Sequence, residues 1–159
     1  MTDTNRDIAG VIAPPPLIYL AFLAAGIALE YGVVRTQGLD MPPSLRVTVI
    51  FALFIAGAGF IAAAVLRFRK AGTPPPPWQP TTAFVADGVY RWTRNPMYLG
   101  MTLIYLAAGV AADAPVVFWL LALLVPTIHY GVILREERYM AGKFGQPYVD
   151  YVHRVPRWL

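Results

Sequence analysis

Twenty consecutive residues, Val47 to Leu66, carry no charged side chain. A helix of about 20 apolar residues crosses the roughly 30 Å hydrocarbon layer of a bilayer with its backbone groups satisfied internally, so this run constrains the chain to a helical membrane fold. Gly57, Ala58 and Gly59 place small residues inside it, where a second helix can approach closely. Three further apolar segments are expected to be helical. Leu17 to Val34 follows Pro14–Pro16, and its one charged residue, Glu30, sits near the far end, within reach of the interface and of a structural role. Met97 to Ala112 and Val116 to Leu134 flank a tight turn marked by Asp113 and Pro115 and read as a helical hairpin. The first arm would span only about 25 Å at 1.5 Å per residue, so it either tilts little or begins inside the interface.

Composition agrees with that class: 57% of residues are hydrophobic and only 14% charged, where a soluble domain is nearer a quarter charged. The expected fold is an all-α integral membrane protein of four transmembrane helices. It forms one membrane domain over 1–159, with 1–66 as a two-helix scaffold and 67–159 as the portion that carries the polar motifs described below. Absence of cysteine excludes disulfides, thiolate metal ligands and a cysteine nucleophile. No metal-ligand spacing, glycine-rich phosphate loop or hydrolase triad is present. The formal charge of +4 lies beside apolar spans, which points to anionic lipid headgroups and excludes nucleic acid as a partner. Met1 to Ala13 lacks the basic region and cleavage site of a secretory signal, so the first apolar segment is expected to remain in the mature protein. With four spans, eleven of the thirteen Lys and Arg residues fall on the side of the N-terminus, the Arg67 to Asn95 loop and the tail, against Arg35 and Arg46 opposite. The excess predicts a cytoplasmic location for both termini and both polar segments.

Chemistry concentrates in Asp87 to Gly100, DGVYRWTRNPMYLG. Gly88 permits a tight turn, Pro96 suits the first turn of a helix, and Arg94 and Asn95 are expected to face outward where that helix begins. A helix start attracts anionic groups, while Tyr90, Trp92 and Tyr98 offer flat surfaces to a ring; the same residues also fit an interfacial aromatic girdle. Ahead of this patch, the run from Pro74 to Pro80 cannot be helical and serves either as a spacer or as a wall of a site. The hairpin should carry Glu136 and Glu137 close to Arg94, Asn95 and Tyr98. Acidic residues after an apolar helix call for a positive neighbour, either Arg135 and Arg138 or a cationic ligand. His129, seven positions before Glu136, is a secondary candidate. The tail after Leu134 is too polar to span and should lie on the surface, folded back against the protein.

Gly88 to Gly100 as G-x-Y-x-x-x-R-N-P-x-Y-x-G, E-E-R-Y at Glu136 to Tyr139, and F-G-x-x-Y-x-x-Y from Phe144 to Tyr151 with Arg154 and Arg157 beyond resemble the isoprenylcysteine carboxyl methyltransferases. More broadly they resemble the bacterial relatives of that family and the phospholipid N-methyltransferases. The resemblance covers 67–159. It implies a multi-pass enzyme of the bacterial inner membrane that binds S-adenosylmethionine on the cytoplasmic side and methylates a lipophilic acceptor, such as an isoprenoid carboxylate or a phospholipid amine, from the bilayer. On this basis the catalytic candidates are Arg94, Glu136, Glu137 and Arg154. The cofactor-binding set is Tyr90, Arg94, Asn95, Pro96, Tyr98, Glu136, Glu137, Phe144 and Tyr148. Asn95 stands where the family has histidine, and an amide cannot accept a proton near neutral pH. Glutamate would meet the cofactor's positive groups, Arg94 or the helix start its carboxylate, and Tyr90, Tyr98 or Phe144 its adenine. The reading of another class is a non-catalytic scaffold or lipid-binding module, which predicts no affinity for S-adenosylmethionine.

Overall fold

A proline opens each of the long apolar helices, where its missing N–H is no loss and its fixed φ suits the first turn. The structure, a computed structural model, describes residues 7–159; Arg6, the N-terminal member of the charge count, lies outside them. Among the described residues every regular element is helical. The first is α1 (Pro15–Leu29), ending in a wide π turn at Glu30–Val34. Then come α2 (Pro43–Lys70), a 3-10 turn at Gly88–Arg91 and α3 (Pro96–Ala111). A long, nearly continuous rod follows, made of α4 (Pro115–Trp119), α5 (Leu121–Ile128), a π turn at His129–Ile133, and α6 (Leu134–Phe144). The chain closes with α7 (Gln146–Arg154).

Three of these bodies, Pro15–Val34, Pro43–Lys70 and Pro115–Phe144, are long and apolar enough to cross a membrane, consistent with a multi-pass membrane protein. The fourth expected span, α3, is apolar but has only 16 residues. Leu17, Leu20, Phe51, Phe54 and Ile55 are exposed on α1 and α2, as suits surfaces that face lipid. One core packs α1 against α3 and the rod through Ile18, Tyr105, Val117, Leu124 and Ile128. A second gathers Ala64, Val85, Tyr90, Tyr148 and Tyr151 at the end where the loop and tail meet.

Helix α2 lies along α3, and Gly57 and Gly100 let them touch. A Cβ at Gly57 would stand 2.7 Å from the Gly100 carbonyl oxygen, and one at Gly100 would stand 2.6 Å from that of Gly57. Gly59, two residues on, has nothing within 4 Å. Gly57→Leu is therefore expected to lower thermal stability by about 1–3 kcal/mol or more through overpacking, whereas Gly59→Leu leaves the melting temperature unchanged. Equal melting of both variants in thermal denaturation would contradict the close contact.

At the far end of the bundle Glu30 is consumed by structure. Its Oε1 accepts from Thr36 N at 2.7 Å and Thr36 Oγ1 at 2.6 Å, and its Oε2 from Val116 N at 3.1 Å, at the start of α4. Asp113 does the same for the adjoining turn, accepting from Leu39 N at 2.9 Å and pairing with Arg46 at 2.5 Å. The backbone bond from Leu39, then Arg46, holds its carboxyl below the usual range.

Candidate active site

Pro126 has no N–H to donate, and downstream of it the rod widens at His129–Ile133, where Leu134 N reaches back five residues to His129 O. Without that extra residue, positions 136 and 137 would be turned by about 100° around the helix. Both carboxylates instead meet the start of α3. Tyr98 Oη donates to Glu136 Oε1 at 2.5 Å, and Arg94 Nη1 lies 3.0 Å from Glu137 Oε1. The hairpin convergence read from the sequence is present.

These groups line a cavity of about 270 Å³. Its apolar wall is Ile61, Val65 and Phe68 of α2 with Met97 and Met101 of α3, and Pro15 and Pro16 at the start of α1. Tyr90, Asn95, Pro96, Tyr148 and Tyr151 supply further wall, and Pro75, Pro76, Pro77 and Trp78 close it from the loop. The proline run is thus a wall. Thr82 N bonds Thr73 Oγ1 at 2.8 Å where the loop returns, and Thr81 N bonds Tyr139 Oη at 3.2 Å beside the cavity. The segment before α1 lies over the same face: Ile12 N bonds Gly131 O at 3.2 Å, and Tyr139 Oη donates to Asp7, which also pairs with Lys143 at 2.5 Å.

Among the described residues, Arg94, Glu136 and Glu137 are the charged groups that line the cavity. Arg94 and Asn95, expected to face outward, are turned inward: the Arg94 side chain is 8% exposed and Asn95 is buried. Partners distant in sequence draw them in. Arg94 N donates to Pro156 O at 3.0 Å, Asn95 Nδ2 to Arg157 O at 2.9 Å, and the Arg94 guanidinium reaches Glu137. The Arg94–Glu137 contact is close but misaligned, so Arg94 Nε and Nη1 are buried without a hydrogen-bond acceptor. Unsatisfied buried donors are uncommon and costly, and here they border a cavity that an anionic ligand group could enter.

The two glutamates differ. Glu137 is taken up in a bidentate pair by Arg157, Nε to Oε1 at 2.9 Å and Nη2 to Oε2 at 2.8 Å, in addition to Arg94. Glu136 has the Tyr98 hydroxyl on one oxygen, which leaves the other free for a cation or a proton. Tyr90 and Tyr148 are neutral walls. Burial pushes the Tyr148 hydroxyl up to about 12 with Glu137 adding to it, and burial followed by Glu136 raises Tyr90 well above its ordinary value.

Of the residues singled out in the sequence, Tyr90, Arg94, Asn95, Pro96, Tyr98, Glu136, Glu137 and Tyr148 come together at the cavity. Phe144 stands one layer behind, its ring 5.8 Å from that of Phe84, which lines the cavity. Arg154 is exposed, with its Nε on Asp150 O within its own helix at 3.2 Å. Trp92 is 74% exposed, as suits an interfacial belt, and His129 packs edge-on to Tyr130 at 4.8 Å, away from the cavity. Sequence reasoning assigned no role to Tyr139, Met97, Met101 or Arg157. Tyr139 and Arg157 lay within quoted motifs, but nothing local marks their partners.

S-adenosylmethionine, which the sequence motifs imply, is a fair test of this arrangement. The unpaired Arg94 donors suit its carboxylate, the free Glu136 oxygen its cationic centres, and the buried tyrosines and phenylalanines its ring. The donor set fits the group. No curated protein and no solved structure matches the chain. The family model described as phospholipid methyltransferase matches residues 45–147, which takes in α2, α3, the rod with Glu136 and Glu137, and the loop between α2 and α3. With well over half of its length matched, and the matched part carrying nearly the whole cavity, the chain belongs to the phospholipid methyltransferase family of membrane methyltransferases.

Proposed function

We propose that the protein transfers a methyl group from S-adenosylmethionine to a lipophilic acceptor drawn from the bilayer. The observation that carries this reading is the pairing, in one cavity, of an arginine with unpaired buried donors and a glutamate with a free oxygen. When bound, S-adenosylmethionine supplies a methyl group already activated for in-line displacement. Arg94 and the first turn of α3 would hold the cofactor's carboxylate, Glu136 would meet its positive groups, and Tyr90, Tyr98 and Tyr148 would flank the ring. The loop and the segment before α1 exclude water. At about 270 Å³ the cavity lies just below the roughly 300–1,000 Å³ of ordinary small-molecule sites, so it would not take in the hydrocarbon of a lipid acceptor as well as the cofactor. Arg154 has no part in the cavity chemistry of this reading, and Phe144 supports the wall from behind.

The amine headgroup of a phospholipid is the acceptor that the cavity favours. An ammonium must lose a proton before it can attack, and Glu136 is the group placed to take it; Asn95 cannot. A carboxylate acceptor needs no base and would leave that oxygen only its contact with the cofactor's positive groups. Purified protein given labelled S-adenosylmethionine and vesicles containing either an amine-headgroup phospholipid or an isoprenoid carboxylate should label the amine. Labelling of the carboxylate alone would move the acceptor to the other class, and labelling of neither, nor of anything in a total lipid extract, would favour a non-catalytic module. The Lys and Arg asymmetry supports a cytoplasmic position for the cavity. Reporter fusions after Thr73 and Leu159 are expected to report cytoplasm, and an external signal from either would overturn the orientation.

A further inference from the structure

The C-terminal residues beyond α7 hold the Arg94 turn by three hydrogen bonds. Arg94 N donates to Pro156 O at 3.0 Å, while Arg157 O accepts from Thr93 Oγ1 at 3.2 Å and from Asn95 Nδ2 at 2.9 Å. The Arg157 side chain then crosses to Glu137 and occupies both carboxylate oxygens in the fork geometry that suits a guanidinium. Arg157 itself does not line the cavity, and it lies ten positions past the family match, which ends at 147.

Two guanidinium groups therefore share one carboxylate, unequally. Arg157 has the aligned hydrogen bonds, and Arg94 has only proximity. A carboxylate has room for several donors, but its two best directions are taken. If Arg157 were absent, the Arg94 fork would be free to swing onto Glu137 and spend its donors there. We propose that Arg157 is a positioning residue: by saturating Glu137 it keeps the Arg94 donors unpaired and directed at the cavity, where they take the carboxylate of the bound cofactor. This rests on the S-adenosylmethionine reading above and extends it to a residue that never touches the ligand.

The test compares two ligands on the full-length protein in detergent. S-adenosylhomocysteine carries the amino-acid carboxylate; 5′-methylthioadenosine keeps the nucleoside and thioether and lacks it. Arg157→Gln should weaken S-adenosylhomocysteine about tenfold, the scale of a lost hydrogen bond to a charged group, and leave 5′-methylthioadenosine within about twofold. Arg157→Lys keeps the charge without the fork and should show a smaller loss with the same selectivity. In a Glu137→Gln background, where the Glu137 carboxylate no longer competes for Arg94, Arg157→Gln should have little further effect. Unchanged S-adenosylhomocysteine affinity, or equal loss of both ligands, overturns the proposal; if Arg157→Gln fails to fold, Arg157→Lys is judged by the same criterion. Wild-type protein that binds neither ligand would overturn the function reading and this proposal with it. Wild-type binding alongside an unaffected Arg157 variant would overturn the proposal alone.

Discussion

Glu136→Gln is expected to reduce methyl transfer to an amine acceptor by about a hundredfold or more, the ordinary contribution of a positioned general base. The substitution is nearly isosteric, and the amide oxygen can still accept from Tyr98, so the fold and the cavity shape should survive. What disappears is the one carboxylate oxygen, among the described residues lining the cavity, that no side chain occupies. A variant that melts like the parent yet has lost turnover places the chemistry on Glu136. Full activity in the variant would make Glu136 an ordinary buried hydrogen-bond acceptor.

Arg94→Ala should raise the KM for S-adenosylmethionine by about tenfold to a hundredfold, as expected when a charged hydrogen-bond donor to a ligand is removed. Removing one member of a buried ion pair commonly destabilises a protein strongly, because the other charge is stranded. Here Arg157 continues to neutralise Glu137, and the turn remains tied by main-chain bonds to Pro156. The loss is therefore expected in cofactor affinity much more than in melting temperature. Steady-state kinetics alongside thermal denaturation separate the two, and a variant with unchanged KM would show that the buried donors do not meet the ligand.

The sequence made some of this legible for physical reasons that are local or periodic. Hydropathy alone identified the apolar helices, and proline and glycine chemistry placed the turn at Gly88, which has φ +60°, and the helix start at Pro96. Hairpin geometry placed Glu136 beside Tyr98, because a short turn forces its two arms together. The inward turn of Arg94 could not be read, since it depends on a carbonyl 62 positions later and on a carboxylate carried by another helix. The difference between the glutamates was equally hidden: adjacent positions on one helix gave no sign that Arg157 would claim only one of them. Gly57 and Gly59 looked alike within one small-residue patch, yet only the first meets α3. The wide turn at His129–Ile133, which sets the facing of both carboxylates, has no sequence signature beyond the nearby Pro126.

The central claim is that the cavity between α2, α3 and α6 is built for S-adenosylmethionine, and isothermal titration of the detergent-purified protein with S-adenosylhomocysteine tests it most directly. The account predicts saturable binding at one site per chain, weakened by Arg94→Ala. Absence of binding to a folded wild-type protein, or affinity that Arg94→Ala leaves untouched, would contradict it.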